Sequence, residues 1–381
     1  MTDALVVLGA TGSIGTQTLE VADNLGIDVA VLAARRPSEA LATLARSYPA
    51  AEVIVAGGSS EERAEMEAGV GRPVNTGSDA ILAAAGTPGR LVVNGIVGAA
   101  GLRATVAGLE AGNRVALANK ESLVAGGPVV TAARDNHDGE LLPVDSEHSA
   151  LYQCLKGEPA EAVARLILTA SGGPFRGRSK SSLSDVTPEQ ALRHPTWDMG
   201  RRITIDSATM FNKGLEIIET HYLFGIDYER IDVVVHPQSI LHSAVEFVDG
   251  SWKGHLGYPD MRIPIQYALT APNRSPGPGE RFDPVGRDLT FEAPDTEAFP
   301  ALDIAFAAGK AGGSAPAVMN AADEMAVESF LQGRLGFLGI ADVVERTIAE
   351  VDWRELKTVD DVLEVDSEAR AVASGLIAGV C

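Results

Sequence analysis

Short apolar runs alternate with alanine-rich stretches from Leu5 to about Asp145. The runs are Leu5–Leu8, Asp28–Ala33, Glu52–Ala56, Leu91–Val97, Arg114–Ala118 and Leu141–Val144. Strands alternating with helices predict a mostly parallel sheet covered on both faces. A second region holds strand-like runs at Ala164–Thr169, Ile203–Ile205, Asp232–Val235 and Ser243–Val248, with a helix predicted over about Asn212–Phe224. Residues 271–279 are rich in proline and glycine and read as the start of a linker. From about Pro300 the spacing is helical throughout. The pattern therefore predicts an α/β domain over 1–145, a central α/β domain over 146–270, a linker over 271–299 and a small helical domain over 300–381.

Composition narrows the class. With 381 residues, 45% hydrophobic and 22% charged, the chain has the balance of a folded, multi-domain protein. A net charge of −21 would repel nucleic acid, so any anion site must be built locally from a few lysines, hydroxyls and backbone amides. The two cysteines, Cys154 and Cys381, offer neither a disulfide framework nor a thiolate zinc site. With a first strand where a leader would stand, these features lead us to expect a cytoplasmic protein.

Gly9-Ala10-Thr11-Gly12-Ser13-Ile14-Gly15 follows the first strand and opens a helix. Glycines there permit a tight turn and let a pyrophosphate approach the helix N-terminus, which marks a Rossmann-like dinucleotide site. The second strand ends in Ala34-Arg35-Arg36-Pro37. Two arginines and no acid favour a 2′-phosphate, hence NADP(H) over NAD(H). Asp145-Ser146-Glu147 places two carboxylates where another strand ends, and Asn212-Lys213-Gly214-Leu215-Glu216 puts Lys213 and Glu216 on one helix face. Carboxylates without thiolates suit a hard divalent cation. Ser171-Gly172-Gly173 and Asn212-Lys213 are candidate anion contacts, with an ordinary turn or helix cap as the alternative for each.

These motifs together resemble the 1-deoxy-D-xylulose 5-phosphate reductoisomerase family of the non-mevalonate isoprenoid pathway. The resemblance rests on residues 9–15, Ala-Leu-Ala-Asn-Lys-Glu-Ser-Leu-Val (116–124), Leu-Pro-Val-Asp-Ser-Glu-His (142–148), Ser-Gly-Gly-Pro-Phe-Arg (171–176), His-Pro-Thr-Trp-Asp-Met-Gly (194–200), residues 206–216, His-Pro-Gln-Ser-Ile-Leu-His (236–242) and Pro-Asp-Met-Arg (259–262). It implies that Asp145, Glu147 and Glu216 bind one divalent cation, Mg2+ or Mn2+, with Co2+ a further candidate. It implies that Ser171, Ser207, Asn212 and Lys213 hold the substrate phosphate, with Lys120 and Ser146 near the carbon skeleton. His194–Gly200 would form a lid carrying His194 and Trp197 to the substrate and Met199 to the nicotinamide. Thr11, Gly12, Ser13, Ile14, Ala34, Arg35, Arg36, Asn119, Glu121 and Gly200 would contact NADPH. The implied reaction rearranges the substrate by retro-aldol cleavage and re-addition, then reduces the resulting aldehyde to 2-C-methyl-D-erythritol 4-phosphate; the implied assembly is a homodimer. One departure stands out: Pro37 occupies the place of a family asparagine at the 2′-phosphate; the second arginine can compensate, so NADP(H) remains the expectation, with the exact 2′-phosphate ligands among Ala34–Pro37 left open.

Two other readings stay open on the residues alone. Tyr152-Gln153-Cys154-Leu155-Lys156 matches the Y-x-x-x-K of short-chain NADP reductases and epimerases, but the serine expected about a dozen residues earlier is replaced by Gly139 and Glu140. A non-catalytic NADP-sensing protein would keep the glycine turn and dispense with the carboxylates.

Overall fold

The computed structural model describes residues 4–197, 199–277 and 279–380. Asp198, within the expected lid, and Cys381 lie outside the described residues. The chain divides into two compact units: 1–122, 130–149 and 260–280 form the first, and 123–129, 150–259 and 281–381 the second.

Among the described residues the first unit holds a seven-stranded sheet. Its strands are β1 (Ala4–Leu8), β2 (Val29–Ala34), β3 (Glu52–Val55), β4 (Val74–Thr76), β5 (Arg90–Asn94), β6 (Arg114–Leu117) and β7 (Glu140–Pro143), all parallel, in the order β4-β3-β2-β1-β5-β6-β7. The connecting helices are α1 (Ser13–Leu25), α2 (Glu39–Ser47), α3 (Ser60–Val70), α4 (Ser78–Ala85), α5 (Leu102–Glu110) and α6 (Glu121–Asn136), with α7 (Ser146–Leu155) after β7. Leu5, Val6, Val7 and Leu8 are all fully buried, as are Val92, Val93, Val115 and Leu117. That continuity is what a parallel sheet covered on both faces requires. The order reverses at β1, and the crevice beside such a reversal is where this class of sheet binds ligands.

In the second unit β8 (Val163–Ala170), α8 (Pro188–Ala191), α9 (Arg201–Thr209), α10 (Phe211–Phe224), β9 (Ile231–Val235), β10 (Leu241–Phe247) and β11 (Trp252–Leu256) follow in chain order. The strands form a mixed sheet in the order β11-β10-β8-β9. After α11 (Arg262–Thr270), which belongs to the first unit, come α12 (Ala301–Ala311), α13 (Ala315–Leu331), α14 (Gly339–Glu350) and α15 (Val359–Val380). The helical C-terminal region is as the spacing predicts. Its apolar faces share one core with β8 and α10, through Leu166, Leu168, Phe211, Leu215, Ile218, Leu302, Met319 and Phe330.

Three differences from the sequence reading stand out. Ile203–Ile205 is not a strand but the middle of α9. The run alternates over too few residues to set a period, and burial of Thr204, Ile205, Ala208 and Thr209 follows the helical repeat instead. Two strands, β4 and β11, were not expected. β4 is three residues long with one buried position, and β11 is an edge strand whose burial merely alternates between exposed and half-buried. Finally, 260–280, expected as the end of the central domain and the start of the linker, clusters with the first unit. There Arg262 reaches Glu20 of α1 at 2.6 Å while held by Asp260. Residues 281–299 cluster with the second unit, where Glu292 bridges to Val235.

Candidate active site

Every cofactor residue expected in the first unit lies at, or just beyond, the carboxyl end of a parallel strand. Gly9 (φ 85°) turns the chain after β1. A Cβ on Gly15 would run into the carbonyl of Gly9 and the backbone of Ala10, so helix and strand approach closely only because glycine stands there. Gly12 is the N-cap of α1 and makes no side-chain cap, and Thr11, Gly12 and Ser13 are exposed with Ile14 half-buried. The N-terminus of α1 thus presents backbone amides where a pyrophosphate would sit. At the end of β2, Ala34 is buried, while Arg35 and Arg36 just beyond it are exposed.

The turn after β6 rests on a buried polar network. Asn94, at the end of β5, donates to Thr105 Oγ1 at 2.8 Å and to the Gly101 carbonyl at 2.9 Å. Asn119 donates to the Gly98 carbonyl at 3.0 Å and to Glu121 at 2.8 Å, and receives the hydroxyl of Ser122. Asn94 has no place in the sequence reading. The only trace of it is a polar residue inside the apolar run Leu91–Val97, which a turn explains equally well.

Lys120 and Asp145 meet across the ends of β6 and β7, Nζ to Oδ2 at 2.6 Å. Asp145 Oδ1 accepts the Glu147 amide at 3.1 Å, and Ser146 Oγ donates to Glu147 Oε2 at 2.8 Å. His148 Nδ1 stands 3.4 Å from Asp145. Asp145, Ser146 and Glu147 are half-buried, so this carboxylate pair is sheltered without being sealed.

The second unit gathers the candidate anion contacts. Gly172 (φ 83°) and Gly173 (φ 66°) turn the chain after β8, and the Gly173 amide donates to Ser171 Oγ at 3.2 Å. His194 Nε2 lies 3.1 Å from both Ser171 Oγ and Ser207 Oγ. Gly200 is the N-cap of α9, and Met210 (φ 70°) makes the sharp corner between α9 and α10. On the first turns of α10, Asn212 donates to Glu216 Oε1 at 2.6 Å and Lys213 to Glu216 Oε2. Glu216 is fully buried and Lys213 nearly so. A carboxylate so deeply withdrawn from water is tolerable only beside cations and donors.

Two further groups shape this region. Arg202 ties α9 to α13, 2.9 Å from Glu324 and 3.5 Å from both Asp323 and Asp206. Burial pushes the Asp323 carboxyl up to about 6 against the pull of Arg202. The H-P-Q-S-I-L-H segment, to which the sequence reading gave no role, brings His242 near Trp197 of the expected lid: the two ring centroids are 6.4 Å apart. Burial, then the neighbouring charge of His255, lowers His242 to about 4. Tyr152 sits within α7, while Lys156 is exposed one residue beyond the helix end.

A doubly wound parallel sheet with a glycine turn, an exposed arginine pair and carboxylates at its carboxyl edge defines a dinucleotide-dependent oxidoreductase. Models of 1-deoxy-D-xylulose 5-phosphate reductoisomerase match residues 5–127, those of its C-terminal domain 141–224, and those of the DXP reductoisomerase C-terminal domain 256–372. A 1-deoxy-D-xylulose 5-phosphate reductoisomerase from Chloroherpeton thalassium is 47% identical over 371 residues, 96% of either chain. The structure of the enzyme of that name from Zymomonas mobilis in complex with NADPH is 44% identical, with a TM-score of 0.92 over 99% of both chains. A DOX-P reductoisomerase in complex with NADPH, fosmidomycin and magnesium is 36% identical, with a TM-score of 0.91 over 98% of both. The chain belongs to the 1-deoxy-D-xylulose 5-phosphate reductoisomerase family.

Proposed function

We infer that the chain catalyses the NADPH- and divalent-metal-dependent rearrangement and reduction of 1-deoxy-D-xylulose 5-phosphate to 2-C-methyl-D-erythritol 4-phosphate. Family membership over nearly the whole chain carries this reading, and the local geometry in each unit supports the roles assigned here. The residues suit both cofactors that the solved relatives hold. The exposed start of α1 and the absence of room at Gly15 suit a bound dinucleotide, and the arginine pair suits a 2′-phosphate. Asp145, Glu147 and Glu216 offer hard oxygen donors with no soft ligand, the donor set of Mg2+ or Mn2+. We assign the cation to these three carboxylates.

When bound, NADPH supplies hydride, and the cation supplies Lewis-acid stabilisation of negative charge developing on the substrate's oxygens. Lys120, held by Asp145, adds a second positive charge near the same carboxylates. Ser171, Ser207 and His194 present donors to the substrate phosphate, with Asn212 and Lys213 on the adjoining helix. Holding the phosphate fixes the reacting end of a small, flexible substrate, which lowers the entropic part of the barrier. Closure of residues 194–200, with Trp197 against His242, excludes water that would intercept a reactive aldehyde.

We further read the chain as a cytoplasmic homodimer. Among the described residues β11 is an edge strand of its sheet and exposes Trp252 and Leu256, the kind of edge that a second copy covers. NADPH oxidation with 1-deoxy-D-xylulose 5-phosphate, with and without Mg2+ or Mn2+, tests the function. Turnover that requires the cation supports it; cation-independent turnover abolished by Tyr152→Phe would replace it with short-chain reductase chemistry.

A further inference from the structure

Two acids face each other between α9 and α13. Asp206 is buried and Asp323 fully so. Their carboxyl groups come within hydrogen-bonding reach of one another. A carboxylate can only accept, so that contact is a hydrogen bond only if one of the two keeps a proton. Asp323 Oδ1 receives no hydrogen bond from any donor among the described residues. Burying an unsatisfied carboxylate oxygen is costly, and protonation removes that cost. The surrounding charge favours the same state. Arg202 lies 2.9 Å from Glu324 but 3.5 Å from both Asp206 and Asp323. On α15, Arg370 holds Glu324 at 2.5 Å and Asp366 at 2.6 Å. Two arginines therefore answer four carboxyl groups, and their shorter contacts go to Glu324 and Asp366 rather than to the facing acids. Burial, with the charge of Glu324 adding to it and Arg202 opposing, raises the Asp323 carboxyl to about 6.

We propose that Asp323 is a positioning residue for the reaction: Asp206 and Asp323 share one proton, and the bonded pair fixes α9 against α13 and so places Ser207, the residue after Asp206. This rests on the reading of Ser207 as a phosphate contact. Loss of the shared proton sets two buried carboxylates against each other and loosens the helix that presents the hydroxyl. A carboxyl whose folded pKa is raised stabilises the fold at acid pH, and that contribution is lost as pH rises from about 4 through about 6.

Two variants separate the proton from the shape. The amide of Asp323→Asn donates to Asp206 at every pH, and its oxygen still accepts from Arg202. Asp323→Leu fills a similar volume and donates nothing. Substrate KM and kcat are measured from pH 5.5 to pH 8 with NADPH and Mg2+, each variant against the native chain so that ionisation of the substrate phosphate cancels. The native KM should match that of Asp323→Asn at pH 5.5 and exceed it at least about fivefold at pH 8, with kcat within about twofold throughout. Asp323→Leu should raise KM at least about fivefold over Asp323→Asn at both pH values. Thermal unfolding reads the proton without substrate: Asp323→Asn should raise Tm by at least about 2 °C at pH 8 and leave it unchanged at pH 5.5. Three results overturn the proposal: a native-to-Asn KM ratio that does not change with pH, Asp323→Leu kinetics indistinguishable from those of Asp323→Asn, or equal Tm for native and Asn at pH 8. Failure of the underlying reading is separately visible, because Ser207→Ala would then leave KM unchanged while the pH-dependent difference in Tm persists.

Discussion

Lys120 Nζ lies 2.6 Å from Asp145 Oδ2, joining the ends of two neighbouring parallel strands through side chains only 8% and 11% exposed. The pair makes Asp145 both a proposed cation ligand and the counter-charge that keeps a buried ammonium in place. Asp145→Asn is expected to lower kcat at least about a hundredfold through the lost Lewis-acid site. Removing that counter-charge from beside the nearly buried Lys120 also costs about 3 kcal/mol of stability. Steady-state kinetics and denaturant unfolding read the two effects, and the NADPH dissociation constant should not move.

Arg35 and Arg36 are exposed at the end of β2, and neither is needed by the core. Replacing both with alanine should raise the KM for NADPH at least about tenfold while leaving the KM for NADH nearly unchanged, because only the 2′-phosphate loses its charge-assisted bonds. Parallel assays with the two cofactors check this. An equal loss for both would move the 2′-phosphate contact elsewhere.

Gly15→Ala would drive a methyl group into the backbone of Gly9 and Ala10, which cannot rotate away. The expected result is overpacking worth about 1–3 kcal/mol together with loss of NADPH binding, as α1 is pushed from β1. Thermal unfolding and fluorescence titration with NADPH measure both.

The first unit was readable from sequence because each of its signals is local. A strand, a glycine turn and a helix start lie within a dozen residues, and the same alternation repeats down to Asp145. The second unit was harder. Ile203–Ile205 alternates like a strand, yet it is held as helix by packing against α10 and α13, which no local window contains. The candidate anion contacts show the same limit: His194 stands 23 residues from Ser171 and 13 from Ser207, and only the fold makes them neighbours. Resemblance named those residues without revealing their bonds. The bonds of His194 to both serines and those of Asn94 to Gly101 and Thr105 are properties of three-dimensional contacts.

His194 and His242 are both held below the ordinary histidine range chiefly by burial, His242 at about 4. A histidine kept neutral in the fold but free to protonate when unfolded adds stability above about pH 6.5, and that stability is lost as pH falls. For His242 the window runs from about 6.5 down to about 4 and is worth roughly 3 kcal/mol across it. Thermal unfolding between pH 7 and pH 4 should show the decline, and NMR titration of the ring protons should keep His242 neutral to about pH 4. His242→Phe should flatten part of the slope.

The central claim is that Asp145, Glu147 and Glu216 hold the catalytic cation, and Mn2+ binding followed by electron paramagnetic resonance in the presence of saturating NADPH tests it most directly. The account predicts one Mn2+ per chain, with affinity reduced at least about tenfold in each of Asp145→Asn, Glu147→Gln and Glu216→Gln while NADPH affinity is retained. Mn2+ bound with undiminished affinity by Glu216→Gln, or lost only together with NADPH, would contradict it.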